Sequence, residues 1–490
     1  MHIQRSTVVV LFLSVAGSAL LGCSNGGTTD AQNKVPITTS SKKALREYLK
    51  GRDLSEKLRA TDAREHYTSA ASLDPSFGLA YVGLANTAPT AADFFDAMRR
   101  ATGFVGQVSA GEEHIIRALE AGVNGRPDEQ LRHLNALVEA YPEDERAHNA
   151  LGLFYFGRQE WPQAAAEFRR STEINPEFSQ PYNQLGYALR FMNDYAGAEK
   201  AFTTYIQLIP DEPNPYDSYA ELLMKIGRFR ESIVQYEKAL SINPNFANSY
   251  LGIGNDHIFL GEPVRARNSF TKLAFIARND GEKRTAYVWA AISYLHEDNT
   301  AMALEQVERL YEVAKKGNDR FAMAGDLGFM AEILLEAGRT EEAMAKFTQS
   351  VEMVQTAIVT ADVKEAARRN DLFDKARIAL QRRDFAAAAA GAEQYRKQVE
   401  VRRIPFEVRQ SHELLGLIAL AKGDFLTAVR ELEQAGQQDP RVLFNLSKAC
   451  AGAGKAEAAR ATLERAANFN AFSPTYAFVR NKALAMLKGS

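Results

Sequence analysis

The stretch that decides the fold is residues 145–178, which reads ERAHNALGLFYFGRQEWPQAAAEFRRSTEINPEF. Its apolar and small residues recur at intervals of three and four, the spacing that places side chains on one face of an α-helix. Gly152 and Ala164 are small where two helices would approach closely, and Phe168 supplies bulk beside them. Pro176 ends the second helix, because proline in a helix interior costs about 3 kcal/mol. The stretch therefore predicts a pair of antiparallel helices.

The same unit recurs along the chain with a fixed period. Four prolines stand at equal steps of 34 residues: Pro142, Pro176, Pro210 and Pro244. Because the chain has only 16 prolines, this regularity indicates a repeat register. The clearest copies are residues 145–178, 179–212, 213–246, 247–280 and 409–442. Weaker copies extend the series, so that about 11–12 units fill residues 43–473.

This pattern resembles the tetratricopeptide repeat, which has the signature W-x2-L-G-x2-Y, then A-x3-F, then P. In residues 145–178 every position of the signature matches except the first, where His148 replaces Trp. We interpret His148 as a residue that packs between helices and not as a metal ligand. The resemblance implies an all-α fold, a TPR-like α-solenoid of antiparallel helix pairs. The pairs must stack, because no single pair buries its apolar face alone.

Three segments depart from the repeat. In residues 86–110, a second helix is predicted around Ala92 to Arg100, and Ser109 and Glu112 have the spacing of a capping box for the next helix. Residues 358–368 lie between repeats and are expected to lengthen a helix or to bend the array. Residues 474–490 predict a final helix that covers the exposed apolar face of the last repeat.

The N-terminus has the organisation of a signal peptide. An apolar run, VVVLFLSVAGSALL at residues 8–21, is shorter than the roughly 20 residues that cross a bilayer. Residues 20–23, Leu-Leu-Gly-Cys, resemble the bacterial lipobox. The resemblance implies that residues 1–22 are removed and that Cys23 is acylated, and Ser24 after it implies transfer to the outer membrane. A conventional secretory signal with an incidental cysteine is the alternative. The polar residues 23–42 predict a flexible tether.

Composition and motifs exclude several classes of function. The 59 basic and 61 acidic residues nearly cancel, and no dense basic stripe is present, so nucleic acid is not a predicted partner. The second cysteine, Cys450, lies inside a repeat and is expected to pack as a small buried thiol. The sequence has no HExxH, CxxC, GxSxG or GxxxxGK[ST] motif. We therefore predict no catalytic residue, no cofactor and no metal site.

Ligands of this family are expected in the concave groove, which the first helix of each repeat lines. Position 5 of the repeat is Asn149, Asn183 and Asp217 in three successive copies, and position 9 includes Tyr187 and Asn255. An amide both donates and accepts hydrogen bonds, so a row of amides could pair with the backbone of an extended peptide. The alternative is that these are solvated polar residues on an exposed helix face.

Together these features predict a non-enzymatic interaction scaffold of the bacterial cell envelope. The partners would be other proteins or peptides, together with the membrane that holds acylated Cys23. The expected location is the outer membrane, facing the periplasm. Two alternatives stay open, a surface lipoprotein that captures a ligand such as a glycan and a regulatory subunit of an enzyme encoded elsewhere. The sequence identifies neither the partner nor the oligomeric state.

Overall fold

The computed structural model describes residues 33–471 and 473–489, and within them it contains α-helices, one short 3-10 helix (Val105–Gln107) and no strand. The predicted all-α solenoid fold is confirmed. The described residues divide into two compact units, one that ends at Tyr219 and one that begins at Ala220. We call them the N-terminal unit and the C-terminal unit. The signal peptide predicted at residues 1–22 and the anchor Cys23 lie outside the described residues.

The N-terminal unit contains ten complete helices and the start of an eleventh, α11, within which the division falls. Their bounds are α1 Lys42–Glu56, α2 Ala60–Leu73, α3 Gly78–Asn86, α4 Ala91–Gly103, α5 Ala110–Val123, α6 Pro127–Ala140, α7 Glu145–Gly157, α8 Trp161–Ile174, α9 Ser179–Phe191, α10 Tyr195–Leu208 and α11 Pro213–Lys225.

The C-terminal unit continues the same alternation and ends with an additional helix. Its further helices are α12 Phe229–Ile242, α13 Ala247–Phe259, α14 Pro263–Ile276, α15 Asp280–Leu295, α16 Thr300–Lys316, α17 Arg320–Glu336, α18 Thr340–Thr356, α19 Ala361–Gln381, α20 Phe385–Arg402, α21 Pro405–Lys422, α22 Phe425–Gln434, α23 Pro440–Gly452, α24 Ala456–Ala467 and α25 Pro474–Gly489. Odd-numbered helices from α1 to α23 are the first helices of helix pairs, and even-numbered helices are the second.

Within a pair, the two helices touch where the sequence places a glycine. A Cβ atom added to Gly186 would lie 2.6 Å from the Cε1 atom of Phe202, and one added to Gly152 would lie 2.6 Å from Cε1 of Phe168. Both rings are fully buried. The glycine of the first helix therefore provides the space that the ring of the second helix fills, as the sequence predicts.

A recurring hydrogen bond explains why the prolines keep the period of the aromatic residues. In four copies, the fourth residue of the repeat lies within hydrogen-bonding distance of the carbonyl oxygen of the proline six positions earlier. The donor is a tyrosine hydroxyl in three copies, at 3.0–3.1 Å, from Tyr81 to Pro75, from Tyr216 to Pro210 and from Tyr250 to Pro244. In a fourth copy the imidazole of His148 lies 3.0 Å from the Pro142 oxygen and 2.7 Å from a Glu167 oxygen. His148 is thus a packing residue.

The irregular segments fold as the sequence predicts. Helix α4 occupies residues 91–103, and α5 begins with a complete capping box, in which Ser109 and Glu112 each accept a hydrogen bond from the other's backbone N–H group. Helix α19 reaches 21 residues because it absorbs part of the segment between repeats. Cys450 is buried, as expected.

The last helix, α25, makes more contacts than the sequence predicts for a helix that only covers the last repeat. Tyr476 packs against the last repeat, in a buried cluster with Leu463 and Ala466. The same helix also contacts helices near the start of the C-terminal unit. Arg480 donates to the backbone oxygen of Phe259 at 3.1 Å, and Asn481 donates to that of His296 at 2.7 Å. Helix α25 therefore joins both ends of the C-terminal unit.

Residues 34–41, which we call the N-terminal strap, run past the end of α2 and the starts of α5 and α7. The backbone N–H of Val35 donates to Asp144 at 2.9 Å, and that of Thr38 donates to Glu112 at 2.8 Å. The Thr39 hydroxyl donates to Asp74. The prediction of a flexible tether over 23–42 is therefore wrong for these eight residues, because distant carboxylates at helix ends bind their backbone and hydroxyl groups.

Within residues 33–471 and 473–489, no helix combines the length and the hydropathy that a membrane span requires.

Candidate functional site

The five residues predicted to line the groove all lie on first helices. Asn149 is on α7, Asn183 and Tyr187 are on α9, Asp217 is on α11 and Asn255 is on α13. The three asparagines and the aspartate are at most 3% exposed, whereas Tyr187 is half-buried. Four of the five therefore offer almost no surface to a ligand in this conformation.

Three of these side chains form hydrogen bonds between first helices of consecutive repeats. The amide nitrogen of Asn149 donates to the Gln180 oxygen at 3.2 Å, and that of Asn183 donates to the Asn214 oxygen at 3.4 Å. One turn further along α9, the Tyr187 hydroxyl lies 3.4 Å from that of Ser218. Each donor lies 31 residues before its acceptor, so the repeated polar positions connect adjacent repeats.

In the C-terminal unit, the amide nitrogen of Asn255 donates to the backbone oxygen of Leu251, on its own helix, at 2.8 Å. Direct contact of the five predicted residues with a peptide stays a prediction. The observed contacts give Asn149 and Asn183 a structural part in stacking the repeats.

An aromatic cluster lies beside this row in the N-terminal unit. Its members are Phe156, Trp161, Tyr187, Arg190 and Phe191. The rings of Trp161 and Phe191 stack with centroids 4.4 Å apart and planes 18° apart. The guanidinium of Arg190 lies 4.8 Å from the centroid of Tyr187 and 5.2 Å from that of Phe191. Except for buried Phe156, every member of the cluster is half-buried.

The local sequence brings these rings together through two equivalent turns. Gln159 and Asn193 stand 34 residues apart, and each has a positive φ, 62° and 61°, that ends one helix and directs the chain into the next. Trp161 follows the first turn and Phe191 precedes the second, so stacking of the repeats places their rings in contact. The sequence signal was available, since Trp161 is one of only two tryptophans in the chain.

The cluster has the chemistry of a protein-binding surface. Trp, Tyr and Arg are the residues that contribute most to protein–protein binding, because they bury large areas and pair polar groups at their edges. Met192, next to the cluster, is 42% exposed and adds a flexible apolar side chain. The arrangement can therefore bind a partner surface that is apolar at its centre and acidic beside Arg190.

Burial displaces the pKa values of several ionisable groups. Burial raises the pKa of Asp256 to about 8 and lowers that of His296 to about 3. Burial also raises the pKa of Glu56 to about 8, against the opposing effect of Arg146. In the described part of the chain, no three or more His, Cys, Asp or Glu side chains are grouped so that they could hold a metal ion.

Comparison with known families confirms the tetratricopeptide repeats. One tetratricopeptide-repeat family model matches residues 117–177 and 413–477, and a second with the same description matches residues 179–212 and 214–246. Proteins with this repeat bind other proteins or peptides, and the fold is generally a non-catalytic interaction scaffold.

Curated relatives share short parts of the chain. Superkiller complex protein 3 of Mus musculus is 26% identical over 143 residues, which is 29% of this chain and 8% of that protein. DnaJ homolog subfamily C member 7 of Mus musculus is 28% identical over 94 residues, 19% of each chain. Protein O-mannosyl-transferase TMTC3 of Homo sapiens is 25% identical over 166 residues, 33% of this chain and 18% of that protein. This chain thus spans less than a fifth of the length of each of these three relatives.

Among solved structures, the anaphase-promoting complex hetero-tetramer Cut9-Hcn1 matches 86% of this chain and 76% of its own, with 15% identity and a TM-score of 0.43. A tetratricopeptide repeat protein from Parabacteroides merdae matches 53% of this chain and 99% of its own, with 14% identity and a TM-score of 0.38.

Proposed function

We propose that this protein is a non-enzymatic scaffold of the bacterial cell envelope, which binds a protein partner while acylated Cys23 holds it at a membrane. The observation that carries the binding part is the aromatic cluster, where Trp161, Tyr187 and Arg190 meet on repeats that the buried asparagines stack. The partner would contact the half-buried faces of these side chains, and Asn149 and Asn183 would act by holding consecutive first helices in register.

The anchoring part is supported by the sequence of residues 20–23 and by the short apolar run before them. Two or three acyl chains on one residue would hold the protein stably at a bilayer, whereas one chain would be marginal. We propose the outer membrane, facing the periplasm, because Ser24 and not Asp follows the cysteine.

The anchor is tested by replacing Cys23 with serine in cells fed a labelled fatty acid. We expect the wild-type protein to carry label and to sediment with membranes, and C23S to lose both properties. Cys450→Ser is the matched control, since it removes the other cysteine of the chain and should leave labelling unchanged. Membrane association of unlabelled C23S would contradict the proposal.

The binding part is tested by photo-crosslinking from position 192, whose exposed side chain lies next to the aromatic cluster. A partner identified in this way is then titrated with purified variants. Trp161→Ala and Arg190→Ala should each weaken binding by about tenfold or more, the effect of removing a side chain central to an interface. The control is Phe275→Ala, which removes an aromatic side chain that is 90% exposed in the other unit.

If W161A and R190A bind the partner as tightly as F275A and the wild-type protein do, the binding surface lies elsewhere. Circular dichroism of each variant shows whether a loss of binding reflects a loss of folding. The three-residue variant with Asn149, Asn183 and Asp217 changed to alanine separates the two parts that these residues could play. If they only stack the repeats, the melting temperature falls, whereas direct peptide contact lowers affinity at an unchanged melting temperature.

A further inference from the structure

A cavity of about 370 Å³ lies inside the C-terminal unit. Four successive first helices, α17, α19, α21 and α23, form its wall, and the last helix α25 closes one side. Much of the lining is apolar, from Leu335, Leu380, Leu417, Phe444 and Phe478. This volume lies at the lower end of the range for small-molecule sites, and α25 interrupts the surface that an extended peptide would need.

Positive charge predominates in the lining. Arg377, Arg441, Lys448 and Lys482 contribute side chains, and Glu336 is the one acidic residue among the lining residues. Glu336 is shared, since its oxygens lie 3.2 Å from Arg441 and 3.7 Å from Lys482.

Behind the lining, buried Glu332 pairs with two of these cations. Its oxygens lie 2.5 and 3.0 Å from the nitrogens of Arg377, and one of them lies 3.3 Å from Arg441. Asp374 lies 3.4 Å from Arg377 as well. Arg377 and Arg441 therefore each contact two carboxylates, and Arg441 does so through Nη2 alone.

Arg441 retains unused hydrogen-bonding capacity at this cavity. Its side chain is 8% exposed, and only Nη2 contacts carboxylates. The Nε and Nη1 atoms are buried and have no hydrogen-bond partner among residues 33–471 and 473–489. A buried guanidinium nitrogen without a partner is costly, and an anionic acceptor in the cavity would remove that cost.

Lys448, a second cation of the lining, has no acidic partner within 4 Å among the residues that the structure describes. It lies seven residues after Arg441, on the same face of α23, with its ammonium group 5.0 Å from the ring centroid of Phe444. Burial and the charge of Lys482 lower the pKa of Lys448. An anion bound nearby would counter both effects.

We propose that this cavity binds a small organic acid, whose carboxylate is held by Arg441 and Lys448 and whose apolar part packs against Phe444 and Phe478. The site is separate from the aromatic cluster and independent of the proposed scaffold function. It would give the C-terminal unit a small-molecule ligand of its own, and α25 would be one of its walls.

The probe for this proposal is 4-phenylbutyrate, titrated calorimetrically into the full-length chain. We expect saturable binding, and at least tenfold weaker binding of the neutral analogue 4-phenylbutanamide, which has the same apolar part. Lys448→Gln should weaken binding of the acid at least tenfold and leave binding of the amide unchanged. Lys316→Gln, at an exposed lysine of the same unit, is the matched control and should change neither.

Arg441→Gln is a supporting variant, but it also leaves Glu332 and Glu336 with fewer partners and can destabilise the fold, so Lys448→Gln decides the outcome. Absence of binding, equal binding of acid and amide, or an unchanged affinity in K448Q would each overturn the proposal. Displacement of phenylbutyrate by a hexapeptide with a free carboxyl terminus, but not by its amidated form, would assign the site to a chain terminus and overturn the small-acid assignment.

Discussion

The packing of each repeat depends on single atoms at the contact between its two helices. At Gly186, the hydrogen in place of a side chain lets the ring of Phe202 lie against the backbone of α9. The same contact recurs in the next unit, where a Cβ on Gly254 would lie 2.2 Å from a carbon of the Phe270 ring. A methyl group at these positions cannot be accommodated by rotating the ring, because the ring is fully buried.

Gly186→Ala is therefore expected to destabilise the N-terminal unit by about 1–3 kcal/mol, through overpacking. The measurement is denaturant unfolding followed by circular dichroism. Gly157→Ala in α7 is the control, because nothing lies within 4 Å of the added Cβ there. That variant should be neutral or gain up to about 1 kcal/mol from helix propensity. Similar losses in both variants would contradict the packing argument.

Asp256 gives the C-terminal unit a dependence on pH. Its side chain is buried on α13, and burial raises its pKa from 3.8 to about 8 while the Ser232 hydroxyl offsets part of the effect. The folded protein therefore retains the proton between about pH 4 and pH 8, whereas the unfolded chain releases it. Stability contributed by this group must fall as pH rises through that range.

Asp256→Asn is expected to remove this dependence. The melting temperature of the variant should exceed that of the wild type by a margin that widens from pH 5 to pH 8, because asparagine never ionises. Asp298→Asn, at an exposed turn in the same unit, is the control and should give a constant difference. If the difference in melting temperature between D256N and the wild type is also independent of pH, Asp256 is not protonated in the folded protein.

At the scale of the element, the N-terminal strap and helix α5 depend on the same carboxylate. Glu112 is fully buried, accepts from the backbone of Ser109 in the capping box, and accepts from Thr38 of the strap. One side chain thus stabilises the start of a helix and holds an extended segment more than 70 residues away.

Replacing Glu112 with alanine should release the strap. We expect faster amide hydrogen exchange at Thr38 and in the first turn of α5, together with a loss of about 1–2 kcal/mol in the stability of the N-terminal unit. Glu113→Ala is the matched control, because that neighbouring carboxylate forms an exposed pair with Arg117. Unchanged exchange at Thr38 in E112A would show that other contacts hold the strap.

The strap also shows where prediction from sequence ends. Elements within a repeat were predictable, because Gly152, Phe168 and Pro176 act on residues near them in sequence and recur with the period. The strap was not predictable from the sequence, because Val35 and Thr38 lie in a segment with the composition of a linker. Their hydrogen bonds to Asp144 and Glu112 become evident only in the structure. The composition of a segment shows that it has few apolar residues to bury, but it gives no information about hydrogen bonds to distant residues.

The candidate site was likewise predictable from the sequence only in part. The repeated asparagines were identified from their spacing, but the spacing alone could not show that Asn149 and Asn183 bond to the next repeat and are buried. The contact between Trp161 and Phe191 depends on how consecutive repeats stack. Because stacking is a property of two repeats together, a signature defined on one repeat does not contain it.

At the scale of the whole molecule, α25 departs from ordinary repeat behaviour. In a solenoid each repeat contacts only its neighbours, so stability is a sum of local terms. Here Arg480 is bonded to Phe259, 221 positions earlier in the chain. Such a contact couples the unfolding of the last helix to that of a repeat near the start of the C-terminal unit.

Arg480→Ala combined with Asn481→Ala is expected to uncouple them. Hydrogen exchange at the ends of α13 and α15 should become faster, while exchange in α17 and α18 stays the same. Lys488→Ala, at an exposed position of the same helix, is the control. Uniform acceleration throughout the C-terminal unit would instead mean that the two residues stabilise the unit as a whole.

The N-terminal strap limits how far the repeats could stand from a membrane. If Cys23 carries the acyl chains, only 11 residue steps separate it from Lys34, which is bonded to Glu145 at the start of α7. A fully extended chain advances at most 3.3–3.6 Å per residue, so the segment from Cys23 to Lys34 spans no more than about 40 Å. A tether that was free up to residue 42 would have about 1.7 times that length. The strap would therefore keep the N-terminal unit close to the lipid surface and favour partners that lie there.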